Sequence, residues 1–136
     1  MKFKYLDHTA DAMFESYGKT IEEAFTNSAL AMFNIITDVS KVKPFKKFEI
    51  KVKADTLEKL LFDFFNELLF LLDTEHVIIS KFENMKIEKS FVLTCTAFGD
   101  LASKYDRHGD IKAPTYNEMS IKRSKDSYTI RAVVDI

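Results

Sequence analysis

Acidic, imidazole and amine side chains gather at three places along the 136 residues. The first is Asp7-His8-Thr9-Ala10-Asp11. Asp and Thr at such spacing bind their own backbone in turns. The carboxylates of Asp7 or Asp11 are also oxygen donors suited to Mg²⁺, Ca²⁺ or Mn²⁺. The motif reads either as a self-bonded turn or as part of a hard-cation site. The second place is Val133-Val134-Asp135-Ile136, where an apolar strand carries Asp135 beside the α-carboxylate of Ile136. Two anions held this close repel and favour a bound cation. Left in solvent, they are only the end of an edge strand. The third holds His108, Asp110 and Lys112, followed by Ala113-Pro114-Thr115-Tyr116. Lys112 offers an ammonium to a phosphate or carboxylate, or stays solvated as most loop lysines do.

Histidines and aspartates together raise metal-assisted hydrolysis, with His8, Asp11 and His108 as its donors. The chain has no His-Glu-x-x-His, no glycine-rich phosphate loop and no Gly-x-Ser-x-Gly elbow. The single cysteine, Cys95, lies in an apolar segment and reads as a buried, inert thiol. It cannot form a disulfide within the chain or a multi-cysteine zinc site, and it fits a reducing compartment. Lysine and arginine total 20 against 21 acids, a net charge of −1. That balance argues against a broadly basic nucleic-acid surface and leaves room for a local patch. Met1 to Tyr5 has no apolar signal core. The most apolar run, Leu60 to Leu72, is broken by Asp63, Asn66 and Glu67, so no membrane span is expected. The expectation is a cytoplasmic domain.

Two helices and several strands must position these groups. Thr20-Ile21-Glu22-Glu23 is a capping-box pattern. The apolar residues from Ile21 through Ile36 then recur at helical spacing. A second helix is expected to begin near Asp55, with Glu58 three residues on. Its inner face runs from Leu57 to Leu72, and Phe62, Phe65, Leu69 and Phe70 widen it. Such a helix is either sandwiched in the core or lends an apolar edge to a partner. Phe48, Ile50, Val52 and Ala54 alternate with Glu49, Lys51 and Lys53, the period of a half-buried strand. Phe91–Phe98 reads as a central strand. Met119–Lys122 and Tyr128–Val134 flank a polar turn and form a hairpin. Tyr5-Leu6, Met13–Tyr17, Val77–Ile79 and Met85–Ile87 are shorter candidates. Gly99–Lys112 reads as a loop dense in titratable groups, of the length that is often functional. Hydrophobic residues make up 46% and charged residues 30%, with 13 Phe to fill a core. The reading is a single α+β domain spanning 1–136: a two-layer sandwich with a mixed, largely antiparallel sheet and two helices on one face.

The three chemical places, taken in order, resemble the archease family. Asp7-His8-Thr9-Ala10-Asp11 is similar to that family's opening motif, and Tyr17 through Phe25 to the family's next segment. Asn66-Glu67-Leu68-Leu69 resembles its second-helix segment, Ile111 through Tyr116 its lysine-containing segment, and Val134-Asp135-Ile136 its ending. Asn117 stands where the family often has histidine, and Phe64-Phe65 where tryptophan is usual. The resemblance implies a protein that is not itself an enzyme. It would activate the RtcB-type RNA-splicing ligase in tRNA splicing or RNA repair. Activation promotes guanylylation of the ligase by GTP with a divalent metal and supports multiple turnover, with RNA reached through the ligase. It further implies a metal site of Asp11, Asp135 and Ile136, for Ca²⁺ above all or for Mg²⁺ or Mn²⁺, and an activating role for Lys112. A chaperone-like module acting without metal is the alternative class, and a small metal-dependent hydrolase the third.

Overall fold

The computed structural model describes residues 1–7 and 11–136. The middle of the opening motif, His8, Thr9 and Ala10, lies outside the described residues. The elements run β1 (Phe3–Leu6), β2 (Ala12–Gly18), α1 (Ile21–Ile36), β3 (Lys46–Lys53), α2 (Leu57–Glu75), β4 (Val77–Ile87), β5 (Val92–Leu101), β6 (Ala113–Arg123) and β7 (Tyr128–Asp135). This is the α+β class expected from the sequence. Every described strand pairing is antiparallel. The strands divide into two sheets, in the orders β1-β2-β7-β6 and β3-β5-β4.

The two helices join those sheets. α1 packs on β2 and β7 of the first and on β4 of the second; α2 packs on β6 of the first and on β3 and β4 of the second. One apolar cluster runs through both, with Phe14, Phe25, Phe33, Phe64, Phe65 and Leu68 fully buried. Burial of side chains this large is the main favourable term in folding. Phe65 and Leu69 put α2 inside the core, whereas Phe70 stays 58% exposed.

Local chemistry explains the boundaries. Thr20 adopts extended backbone and its hydroxyl accepts from the Glu23 N–H at 3.1 Å, which starts α1. The Glu23 carboxylate reaches back one residue further than a capping box requires and accepts from the Lys19 N–H. α2 begins later than the Asp55 start expected from sequence. Its cap is Thr56, whose hydroxyl accepts from the Lys59 N–H at 3.1 Å.

The two short candidates at Val77–Ile79 and Met85–Ile87 are the ends of one strand, β4. Register shifts between Ile79 and Lys81 and between Glu83 and Lys86 break its alternation. Gly99, Asp100 and Leu101, expected in a loop, extend β5 instead. Gly99 is required there, because a Cβ would sit 2.0 Å from the Ile78 carbonyl oxygen. β6 likewise begins at Ala113, earlier than the expected Met119. Its register with β7 is broken between Thr115 and Ser120, and that irregularity erases the period-2 pattern.

Candidate functional site

The opening and closing motifs meet through strand register. β2 pairs with β7 so that Ala12 faces Val134 and Met13 faces Val133. Asp11, immediately before β2, and Asp135, the last residue of β7, are the next residues outward. On the other side of β7, Ala113 faces Asp135. The Lys112 N–H donates to the Asp135 carbonyl oxygen at 2.7 Å. Asp11, Lys112, Asp135 and Ile136 therefore occupy one end of three adjacent strands. Asp11 is half-buried; Lys112 and Asp135 are exposed. Ile136 is 46% exposed.

The strands that carry this end are held in register by charge as well as by the ladder. Glu15 and Arg131 are direct cross-strand partners on β2 and β7. The Arg131 guanidinium donates twice to Glu15 Oε2, from Nη2 at 2.9 Å and Nε at 3.3 Å. Lys4 on β1 adds a longer contact at 3.7 Å. The guanidinium holds the Glu15 carboxyl below the usual glutamate range. α1 is tied to β2 by buried Asn27, whose amide donates to the Tyr17 carbonyl at 2.7 Å. It is tied to β1 by Tyr5, whose hydroxyl donates to the Ala31 carbonyl at 2.8 Å.

The segment leading to Lys112 is pinned to the end of α1. The His108 N–H donates to the Ile36 carbonyl at 2.7 Å, and the Thr37 hydroxyl donates to the Asp106 carbonyl at 2.6 Å. Gly109 passes close to α1, where a Cβ would lie 3.0 Å from the Ile35 carbonyl oxygen. Asp110 accepts from Arg107 at 2.8 Å and from the Ile111 N–H at 2.9 Å. The Arg107 hydrogen bond leads in holding its carboxyl below the usual range. Ile111 and Pro114 are buried while Lys112 between them is exposed. The backbone is thus fixed on both sides of an exposed ammonium.

As a donor set, Asp11, Asp135 and the Ile136 carboxylate offer only oxygens, which suits a hard cation. Among the described residues, no three His, Cys, Asp or Glu side chains are gathered as a metal cluster. His108 is held by its backbone at α1, and the histidine of the opening motif, His8, lies outside the described residues. Cys95 is buried on β5, and burial pushes its thiol up to about 12. It remains protonated and unreactive at neutral pH.

One polar centre escapes a sequence reading. Asp100 is 1% exposed. Its Oδ2 accepts from the Tyr105 hydroxyl at 2.7 Å and its Oδ1 from the Leu101 N–H at 2.9 Å. Lys104 lies 3.3 Å from Oδ1. The Tyr105 oxygen accepts in turn from the Lys43 N–H at 2.9 Å. The available signal was the Asp100–Lys104 spacing of four, inside a stretch that otherwise read as loop. Beside this network opens a cleft of about 480 Å³ lined by His76, Leu101, Ala102, Ser103, Tyr105 and Arg107. None of Asp11, Lys112, Asp135 or Ile136 lines it.

An α+β domain of two antiparallel sheets bridged by two helices, with acids from both ends of the sequence brought to one sheet end beside a lysine, defines a small protein class. The archease protein family model matches residues 3–136, and the chain belongs to that family. Relatives named protein archease include that of Methanosarcina barkeri, 41% identical over 99% of this chain and 96% of its own length. That of Sulfurisphaera tokodaii is 39% identical over 99% of both. A solution structure of a Methanobacterium thermoautotrophicum protein superposes with a TM-score of 0.84 at 35% identity, covering 98% of each chain. The crystal structure of a Thermotoga maritima archease, described as a possible chaperone, shares the fold with a TM-score of 0.66 at 20% identity, over 98% of this chain and 96% of that one. No described helix is long and apolar enough to cross a membrane.

Proposed function

We propose that this chain is a non-catalytic activator of the RtcB-type RNA-splicing ligase in the cytoplasm, serving tRNA splicing or RNA repair. It promotes guanylylation of the ligase by GTP with a divalent metal and keeps the ligase turning over. The observation that supports this most is the convergence of Asp11, Lys112, Asp135 and Ile136 on one end of β2, β7 and β6. In this reading Asp11, Asp135 and the Ile136 carboxylate hold Ca²⁺, with Mg²⁺ or Mn²⁺ as substitutes. The metal would supply positive charge at a docking surface. Three carboxylates on a sheet end leave coordination positions for groups of the partner. Lys112 presents its ammonium to a phosphate or carboxylate at the docked surface. The fixed backbone around it limits the ordering that docking must bring about.

The test mixes the protein with the RtcB-type ligase of the same organism, GTP and Mn²⁺, and follows ligase–GMP formation. Acceleration at substoichiometric protein is expected, and its absence removes the proposal. A chaperone-like role without metal is supported by the description of the Thermotoga maritima relative and by the exposed aromatics Phe70 and Tyr116. Activation that survives Asp11→Ala with Asp135→Ala would select that reading.

A further inference from the structure

Near-neutral net charge conceals a separation of charge. Between Lys41 and Lys53 stand six lysines and one acid, Glu49. Most of them belong to β3, the edge of the three-stranded sheet. Its inner residues, Phe48, Ile50 and Val52, pack on the core, so Lys47, Lys51 and Lys53 face outward by alternation. The register extends this outward face across the sheet. Lys47 faces Phe98, which faces Lys81 on β4; Lys51 faces Thr94, which faces Lys86. Between these two rows lies Glu49–Thr96–Glu83.

Two aromatic rings stand in this field. Phe45, immediately before β3, is 72% exposed and has no packing reason to be aromatic. The Lys104 ammonium lies 5.7 Å from its ring centroid. Phe98 is half-buried at the centre of its row, with the Lys81 ammonium 5.5 Å from its centroid. Lys46, Lys51 and Lys53 make no ion pair among the described residues. Glu49 pairs with solvent-exposed Lys47 at 3.9 Å and also accepts from the Thr96 hydroxyl at 3.2 Å, while Glu83 pairs with solvent-exposed Lys81 at 3.0 Å. Such pairs hold weakly and exchange readily for a phosphate.

We propose that the outer face of β3-β5-β4, with Phe45 at its edge, is a binding platform for single-stranded nucleic acid. Lys51 and Lys53, at alternate positions, lie about 6.6 Å apart along β3, a spacing that lets an extended phosphate backbone meet two successive ammoniums. Exposed rings among cations supply base stacking, which an acidic peptide would not use. Thr94 adds a hydroxyl between Lys51 and Lys86. The platform includes none of the residues assigned to the ligase-activating end.

Fluorescence anisotropy tests it on the isolated full chain, with labelled 12-nucleotide RNA and DNA single strands, a duplex of the same length, and no ligase. Saturable binding of the single strands below about 100 μM at low salt is expected, weakening as salt rises. The Lys51→Glu/Lys53→Glu variant, with melting temperature as the control for folding, should lose about tenfold or more and flatten the salt slope. Phe45→Ala should weaken binding about fivefold or more and leave that slope unchanged. No binding in this range, or binding indifferent to both variants, overturns the proposal. So does duplex bound as tightly as single strand, or displacement by polyglutamate at the same charge concentration as by RNA, which would mark a surface for acidic proteins.

Discussion

Removing the charge of Glu15 tests how the site-bearing strands are held. In Glu15→Gln the carboxylate that accepts two hydrogen bonds from Arg131 becomes a neutral amide of the same size. A hydrogen bond to a charged partner contributes about 1.5–3 kcal/mol when well shielded. Arg131 keeps 39% of its side chain exposed against 17% for Glu15, so solvent screens the pair. The expected loss is therefore about 1 kcal/mol, a fall of roughly 3–5 °C in Tm for a domain of this size.

The pH dependence gives a sharper check. The folded-state pKa of Glu15 is lowered, chiefly by the Arg131 hydrogen bond. Its contribution is fully present above the unfolded-state pKa and is lost as pH falls through the folded one. Urea unfolding of both forms at about pH 7 should show the full difference, and at about pH 3 the two should approach each other. A further Arg131→Gln change should cost less in the Glu15→Gln background than alone. A stability gap that is the same at both pH values, or additive costs for the two changes, would refute the ion-pair argument and make Glu15 ordinary strand surface.

Lys112→Ala should leave the stability within about 0.5 kcal/mol of wild type, as for an exposed side chain, and abolish acceleration of ligase guanylylation; parallel loss of both would make Lys112 structural. A C-terminal extension converts the Ile136 carboxylate to an amide and should weaken Ca²⁺ and Mn²⁺ binding in isothermal titration, as should Asp11→Ala and Asp135→Ala. Unchanged affinity in the extended form would exclude that carboxylate. Ser28, fully buried in α1, has a hydroxyl without a hydrogen-bond partner among the described residues. Ser28→Ala should therefore stabilise by about 1 kcal/mol, read as a raised urea midpoint.

Much of this fold was legible because its periods are clean. Thr20 with Glu23 announced α1, and the alternation at Phe48–Ala54 announced β3. What stayed hidden depends on contacts between distant segments. Nothing near Gly99 says that the Ile78 carbonyl will press against it, so the end of β5 looked like loop. The irregularities in β4 and β6 cancel the very pattern that marks a strand. That Asp11 and Asp135 become neighbours follows from the β2–β7 register, which local sequence does not encode. The resemblance to a family pointed to both residues together; the residues alone set a self-bonded turn and a solvated strand end beside the cation-site reading. Asp100 was missed because its burial is a property of the assembled sheet and not of its neighbours in the chain.

The place of β7 has a consequence for how the molecule comes into being. It lies between β2 and β6, so the first hairpin, β1–β2, has an open edge until the far end of the sequence arrives. A two-stranded ribbon of this kind has little stability alone. A chain emerging from the ribosome can close β3, β4 and β5 around α2 while β1 and β2 wait. Joining β2 to β7 pairs residues as far apart in sequence as Ala12 and Val134, the type of contact that slows folding most. Asp11 and Asp135 come side by side only at that step. The surface that carries them thus forms only once β7 has joined β2, and a partner that docks there engages no copies that lack this pairing.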